Sequence, residues 1–279
     1  MIPTIATDFR AKASFAKADE VALFRNLAQS IATHSCSTFI NETHGGKVCN
    51  VSFTSVTGNP ETCEIADLLI VSCGPNGMLR ATFWQAKKQN MSKWLASTKG
   101  NEHFDFNGQF NQWDLLSRRP LIAGVGSFHP PTTLLSSFES AAIGSFGVFY
   151  QRGSLIEVSH SVAECISCHN PTVKHPKLSI NGYLEKYCYS NGEIITRSSL
   201  EAFLQALFAH QIGAFLNPAE GAHRWLVTYA RSKAAKAFGN NTDLRALDRF
   251  LNDRPPMELD INGPSDGVSV LIINEQNVA

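Results

Sequence analysis

Residues Glu61 to Gln89 read Glu-Thr-Cys-Glu-Ile-Ala-Asp-Leu-Leu-Ile-Val-Ser-Cys-Gly-Pro-Asn-Gly-Met-Leu-Arg-Ala-Thr-Phe-Trp-Gln-Ala-Lys-Lys-Gln, and this stretch decides the fold. Leu68 to Val71 is apolar with β-branched members, and Leu79 to Trp84 alternates before ending in aromatics, so both halves favour strand. Gly74-Pro75-Asn76-Gly77 between them is turn punctuation for a hairpin. With the turn centred near Asn76, facing residues have numbers that sum to about 152. Asp67 then faces Gln85, and the period-two alternation of side chains sets Asp67, Gln85 and Lys87 on one side. A slip of one residue would undo this arrangement.

Outward from the hairpin, Ala18 to Thr33 carries Val21, Phe24, Leu27, Ala28 and Ile31 at helical spacing, with Asp19 near its start. Val48 to Val56 alternates as a half-buried strand. Gln109 to Leu116 reads as a short helix ended by Pro120, and Leu121 to Val125 and Phe146 to Gln151 read as strands. The order helix, strand, strand, strand, helix, strand predicts an α/β fold with helices flanking a mixed central sheet. Asn90 to Asn107 is polar and reads as a loop, and Glu157 to Arg197 reads as irregular. Ser198 to Glu201 is a capping box that opens a long apolar stripe through Phe215. His223 to Phe238 and Asp243 to Leu251 read as helices, and Gly267 to Asn274 as a closing strand. The spacing therefore divides the chain into a core over 1–155 and a mainly helical elaboration over 156–279.

The chain has 279 residues, 43% hydrophobic and 17% charged, enough to bury a substantial core. Lys plus Arg and Asp plus Glu both number 24, so the net charge is zero. That argues against a nucleic-acid packaging protein, which would be basic overall, and leaves room for one local basic groove. The N-terminus lacks a secretory pattern and no apolar run reaches membrane-spanning length, so no membrane partner is expected. Seven scattered cysteines suit reduced thiols, and a cytoplasmic location is expected.

A carboxylate at the start of a buried strand costs free energy unless it is paired or bound to a cation. For Asp67 alone the plain reading is a strand-end acid in solvent or paired with Lys87. Gln85 adds a neutral oxygen of the kind a hard cation accepts, and Lys87 adds a point charge for a phosphate or an attacking water. Lys88 reads as a backbone-phosphate contact or a solvated charge.

An Asp, an apolar strand, a turn and then Gln-Ala-Lys resembles the PD-(D/E)XK restriction-endonuclease-like superfamily, in the variant where Gln replaces the acid of the (D/E)-x-K element. The order of elements from Ala18 to about Gln151, roughly half of the chain, is similar to that family's αβββαβ core. The resemblance implies a metal-dependent DNA endonuclease using Mg²⁺ or Mn²⁺, with Asp67 as the bridging ligand, Gln85 as a second ligand and Lys87 as the catalytic lysine. Double-stranded DNA is the expected partner, and restriction or defence against foreign DNA the expected setting. The chain departs from the pattern in having no Pro before Asp67, and Gln85 removes a negative charge, so a further acid is expected. Glu42 is preferred over Glu64, which lies an odd number of residues from Asp67. Glu20, on the first helix, is the third candidate. The alternative is a catalytically inactive nucleic-acid-binding or assembly protein on the same fold.

Gln109, Asn111 and Gln112 are placed to line the site from the second core helix, and Arg118 and Arg119 to hold phosphate. The competing reading of the arginines is a solvated helix end that complements the helix dipole. Cys165, Cys168, His169 and Cys188, with His175 as a substitute, have the types for structural zinc. A single C-x-x-C weighs little, and ordinary reduced cysteines are the preferred reading. His210 reads as a packed histidine on a long helix and His223 as a helix-opening surface residue. No nucleophile elbow and no P-loop are present in the sequence. The second half is expected to bind DNA, a small effector or another copy of the chain.

Overall fold

A computed structural model describes residues 1–42, 49–74, 77–89, 103–181, 192–239, 243–251 and 267–274. The hairpin at its centre consists of β4 (Leu68–Cys73) and β5 (Leu79–Lys88), preceded by α1 (Ile2–Lys12), α2 (Glu20–His34), β1 (Thr38–Ile40), β2 (Asn50–Thr54) and β3 (Pro60–Glu64). The pairing runs from Leu68 opposite Trp84 to Cys73 opposite Leu79, and each pair sums to 152 as expected. β6 (His103–Asn107), α3 (Phe110–Arg118), β7 (Ala123–Gly124), β8 (Gly144–Arg152) and β9 (Leu155–Val162) follow. The remaining elements are β10 (Ile166–Cys168), β11 (Lys177–Asn181), β12 (Thr196–Arg197), α4 (Leu200–Phe208), β13 (Ala214–Phe215), α5 (Gly221–Phe238), α6 (Arg245–Leu251) and β14 (Ser269–Ile273).

Among the described residues the main sheet has eight strands, ordered β1-β14-β4-β5-β8-β9-β12, with β13 added to β5. β14 runs parallel to β4 and β8 parallel to β5, while the other pairs are antiparallel, so the sheet is mixed. Alternation divides its side chains between two cores. Leu69, Val71, Phe83, Phe146 and Val270 face α3, α5 and α6. Leu68, Ile70, Trp84, Phe149 and Leu271 face α1, α2 and α4. The result is an α/β fold with helices on both faces of a mixed central sheet. β4 and β5 are buried along their length because both faces are covered, which explains why their sequence reads as near-continuous apolar runs. Each fully buried Leu, Ile or Phe contributes about 1.5–3 kcal/mol to this core. A Cβ at Gly147 would stand 1.5 Å from the Trp84 ring, so glycine there lets β8 come up against β5.

Several elements differ from the sequence reading. The half-buried strand at Asn50–Thr54 is present, but it pairs with β3 and β7 in a separate three-stranded sheet. The cause is a turn through Gly58, at φ +82°, that folds β2 back on β3 and sets Val51 opposite Cys63. The place beside β4 goes instead to β14, and Leu121 to Val125 shrinks to Ala123–Gly124. The described residues of 157–197 are not irregular: β9 and β12 extend the main sheet, and β10 and β11 pair with β6 in another. β6 lies within the expected Asn90 to Asn107 loop, of which 90–102 fall outside the described residues. The helix opened by Ser199, whose side chain accepts from the Ala202 N–H, stops at Phe208 rather than running to Phe215. His210, at φ 57°, and Gly213, at φ 92°, turn the chain so that Ala214 and Phe215 pair with β5. The main sheet takes strands from both sides of residue 155, so 156–279 completes the sheet of 1–155 as well as adding helices. Helix α1 has no counterpart in the sequence reading. No helix among the described residues is long and apolar enough to cross a membrane.

Candidate active site at the Asp67 end of the hairpin

Asp67 directly precedes β4, and continuing the hairpin register by one step sets it opposite Gln85. The side chains meet as that register demands. The Gln85 Nε2 donates to Asp67 Oδ2, and the Ala86 backbone N–H donates to the same oxygen at 2.7 Å. Asp67, Gln85 and Lys87 are all buried, at 6, 2 and 5% exposure. By alternation Asp67 and Gln85 share the face of Leu69 and Phe83.

Gln85 spends its amide nitrogen on Asp67, and its Oε1 is buried with no hydrogen-bond partner among the described residues. A buried acceptor left unmade costs about 1–3 kcal/mol. The oxygen is therefore the atom of this site that most lacks a ligand. A cation shared by Asp67 and Gln85 requires the amide to turn over and bring Oε1 beside the carboxylate. Two oxygens approach in this way only with positive charge between them. The donor types, one carboxylate and one amide oxygen, are those that suit Mg²⁺ or Mn²⁺.

Lys87 Nζ lies 3.8 Å from Glu20 Oε1, the first residue of α2. Asp19 caps that helix by accepting from the Ala22 N–H at 2.8 Å, which fixes where Glu20 emerges. Glu20 is 43% exposed, so the pair opens to solvent from one side. Of the three acids weighed from sequence, Glu20 is the one the structure brings to Lys87.

Glu42 goes elsewhere, which differs from the expectation that it joins Asp67. Its Oε1 lies 2.9 Å from Lys233 Nζ on α5, and its backbone N–H donates to Ser269 Oγ at 3.2 Å. β14 separates β1 from β4, so Glu42 stands two strand spacings, about 10 Å, from the line of β4. Glu64 ends β3 in the small sheet opposite Asn50. The parity used to place it does not apply, because β3 and β4 are separate strands in different sheets.

Of the expected nucleic-acid contacts, Lys88 turns to the other face. Its Nζ donates to the Ala18 carbonyl at 2.8 Å and sits 4.7 Å above the Phe15 ring. Arg118 donates from Nε to Asp114 at 2.9 Å. Arg119, left-handed at φ 54° as the α3 C-cap, donates to the Phe138 carbonyl at 2.9 Å. Both guanidinium groups thus hold the end of α3 in place, which is neither the phosphate contact nor the solvated helix end weighed from sequence. Gln109 is the N-cap of α3 without a side-chain cap bond, and Asn111 Nδ2 reaches the Thr62 carbonyl at 3.4 Å. Gln112 is buried, and its Oε1, like that of Gln85, has no partner among the described residues.

The cysteine cluster does not converge among the described residues. Cys165 and Cys168 are half-buried, and His169 hydrogen-bonds to Ser179 through Nε2 and lies 3.8 Å from Asp105. Cys188 is outside the described residues. No group of three or more His, Cys, Asp or Glu placed to hold a metal occurs among the described residues. His210 packs as expected, though beyond the helix, with Nδ1 3.0 Å from Ser72 Oγ. Burial and then the nearby Arg80 charge push its pKa down to about 4. His223 is buried rather than at the surface. It accepts the Asn217 N–H at 2.9 Å, stacks on Phe138, and has a pKa lowered chiefly by burial.

Comparison of the chain with protein-family models, with curated proteins and with solved structures finds no match.

Proposed function

We propose that the chain is a divalent-metal-dependent endonuclease that hydrolyses phosphodiester bonds of double-stranded DNA, on a restriction-endonuclease-like arrangement of the hairpin. The observation that carries this reading is the junction of Asp67, Gln85 and Lys87 at one end of the sheet, with the buried Gln85 Oε1 left without a partner. Asp67 and Gln85 are the residues to hold Mg²⁺ or Mn²⁺, and Glu20 is the acid that lies beside Lys87. A cation there supplies a water of lowered pKa and neutralises charge developing on phosphate oxygens. Lys87 places a positive charge at the scissile phosphate and takes part in the proton movement of the attacking water, with Glu20 holding its ammonium in position. The buried walls from Leu69, Phe83 and Phe146 keep the dielectric low, so each of these charges acts strongly. Restriction or defence is the setting that agrees with such chemistry.

The test is cleavage of plasmid and duplex oligonucleotide DNA with Mg²⁺ or Mn²⁺ by the natural chain and by Asp67→Ala, Lys87→Ala and Glu20→Gln. Loss of cleavage in folded variants supports the reading, and persistent nicking by both Asp67→Ala and Lys87→Ala overturns it.

One observation favours a second reading, an inactive nucleic-acid-binding or assembly protein. Asp67 is satisfied without a cation, by the Gln85 amide and the Ala86 N–H. Duplex binding by the natural chain with no cleavage in either metal would select it.

A further inference from the structure

Lys87 and Lys233 are the buried lysines among the described residues, and each faces a glutamate. The strand register relates them. Two steps beyond the Ile40–Val270 pair set Glu42 beside Val268, and one step beyond the Ser269–Leu68 pair sets Val268 beside Asp67. Glu42, Val268, Asp67 and Gln85 therefore form one line across the same end of the sheet. Lys233 and Tyr229, one helical turn apart on α5, bring their polar tips to the Glu42 end of this line. A Cβ at Gly267 would stand 2.8 Å from both Lys233 Nζ and Tyr229 Oη, so glycine lets the two tips reach across the backbone just before β14. Lys233 Nζ also lies 5.6 Å from the Tyr229 ring, while Cys49 accepts the Val268 N–H through Sγ at 3.1 Å. Burial holds the Cys49 thiol and the Tyr229 hydroxyl in their neutral forms, the thiol pushed up to about 11.

We propose that Lys233, with the Tyr229 hydroxyl beside it, is a second backbone-phosphate point, which grips a phosphate flanking the one held at Asp67, Gln85 and Lys87. The assignment rests on the nuclease reading above. A buried ammonium has three donors, and Glu42 occupies one direction at 2.9 Å. Glu42 acts as its counter-ion while no nucleic acid is present, so that neither charge is stranded in the interior. The separation of about 10 Å between the lines of β1 and β4 sets the second point a short step along a DNA strand from the first. Contacts of this kind fix register and add affinity without reading sequence.

The test uses the full chain and a DNA duplex, with affinity measured across a salt series in a metal chelator and cleavage measured in Mg²⁺. The double variant Lys233→Met with Glu42→Gln removes both charges together, and a thermal melt checks its fold. Affinity about tenfold weaker, a salt slope shallower by about one counterion and a KM that rises more than kcat falls are expected. Gly267→Ala pushes the two tips aside without changing charge, and a smaller weakening of the same sign is expected. Should the double variant not fold, Gly267→Ala decides alone. If the natural chain cleaves while the folded variants match its affinity and salt slope, the second phosphate point is overturned and the nuclease reading stands. If the natural chain neither binds nor cleaves DNA, the nuclease reading falls and this assignment falls with it.

Discussion

The two ends of the β4–β5 hairpin bury polar groups in opposite ways. At the turn end, Arg80 and Glu193 form an ion pair at 3.1 Å with side chains 2 and 0% exposed. Arg80 also donates to the Gly213 carbonyl at 2.9 Å and lies 3.5 Å over the Phe215 ring, and Glu193 accepts from Ser140. The two charges are enclosed and paired with each other. At the Asp67 end, the Lys87 side chain is 7% exposed but that of its acid, Glu20, is 43% exposed, and the Gln85 Oε1 is buried without a partner among the described residues. One end ties four segments of chain together. The other leaves the Gln85 amide oxygen without a partner among the described residues and opens to solvent at Glu20.

The sharpest way to break this contrast is to remove groups from the open end. Asp67→Ala or Lys87→Ala should lower metal-dependent cleavage by roughly 10²–10⁴-fold. The stability cost should stay near about 1–3 kcal/mol for Asp67→Ala, because two donors lose their acceptor. Activity assays paired with denaturant melts separate the two effects. At the closed end the pattern should invert. Arg80→Met strands Glu193 in the interior and should cost about 3–5 kcal/mol, while the cleavage rate per folded molecule is kept. A comparable loss of activity in folded Arg80→Met would erase the distinction.

Gln85→Glu tests the missing ligand itself. Two carboxylates then share the place of one hydrogen bond, so the metal-free protein should lose on the order of 1–3 kcal/mol. Added Mg²⁺ or Mn²⁺ should raise the Tm of this variant more than that of the natural chain, as a ligand that binds only the folded state must. An equal response in both would remove the cation from the site.

A separate effect concerns a buried group that belongs to neither end. Burial, then the Arg197 charge, pushes the His160 pKa down to about 3. Between about 6.5 and about 3 the unfolded chain binds a proton that the folded chain does not. Stability should therefore fall as pH drops through that window, by up to roughly 1.4 kcal/mol per pH unit from this residue. His160→Gln should flatten the slope of melting temperature against pH.

The hairpin was legible because its information is local. Gly74 and Gly77 bracket the turn, and the apolar runs on each side admit one register that buries both. The same local chemistry placed Gln85 opposite Asp67. What the residues could not show is which distant segment closes on them. Glu20 reaches Lys87 only because α2 docks across the sheet with Asp19 capping its start, and Glu42 is drawn to Lys233 by a helix nearly 200 residues further along. Gly58 carried a turn signal of its own, and reading it would have moved Asn50–Thr54 out of the main sheet. The helix end at Phe208 was hidden because the apolar stripe continues into a strand without changing composition.

The position of β14 sets a timetable for synthesis. Leu68 pairs with Ser269, so the strand that carries Asp67 waits for a neighbour about 200 residues downstream, about 10–40 s at ordinary rates of translation. Until then one edge of β4, buried along its whole length in the finished sheet, is bare and able to pair with another chain. β1, held in the sheet by β14, cannot take its place either. A nascent chain on the ribosome would thus carry the hairpin before it carries the finished sheet end. Whatever chemistry the Asp67 end performs is withheld until β14 has been made.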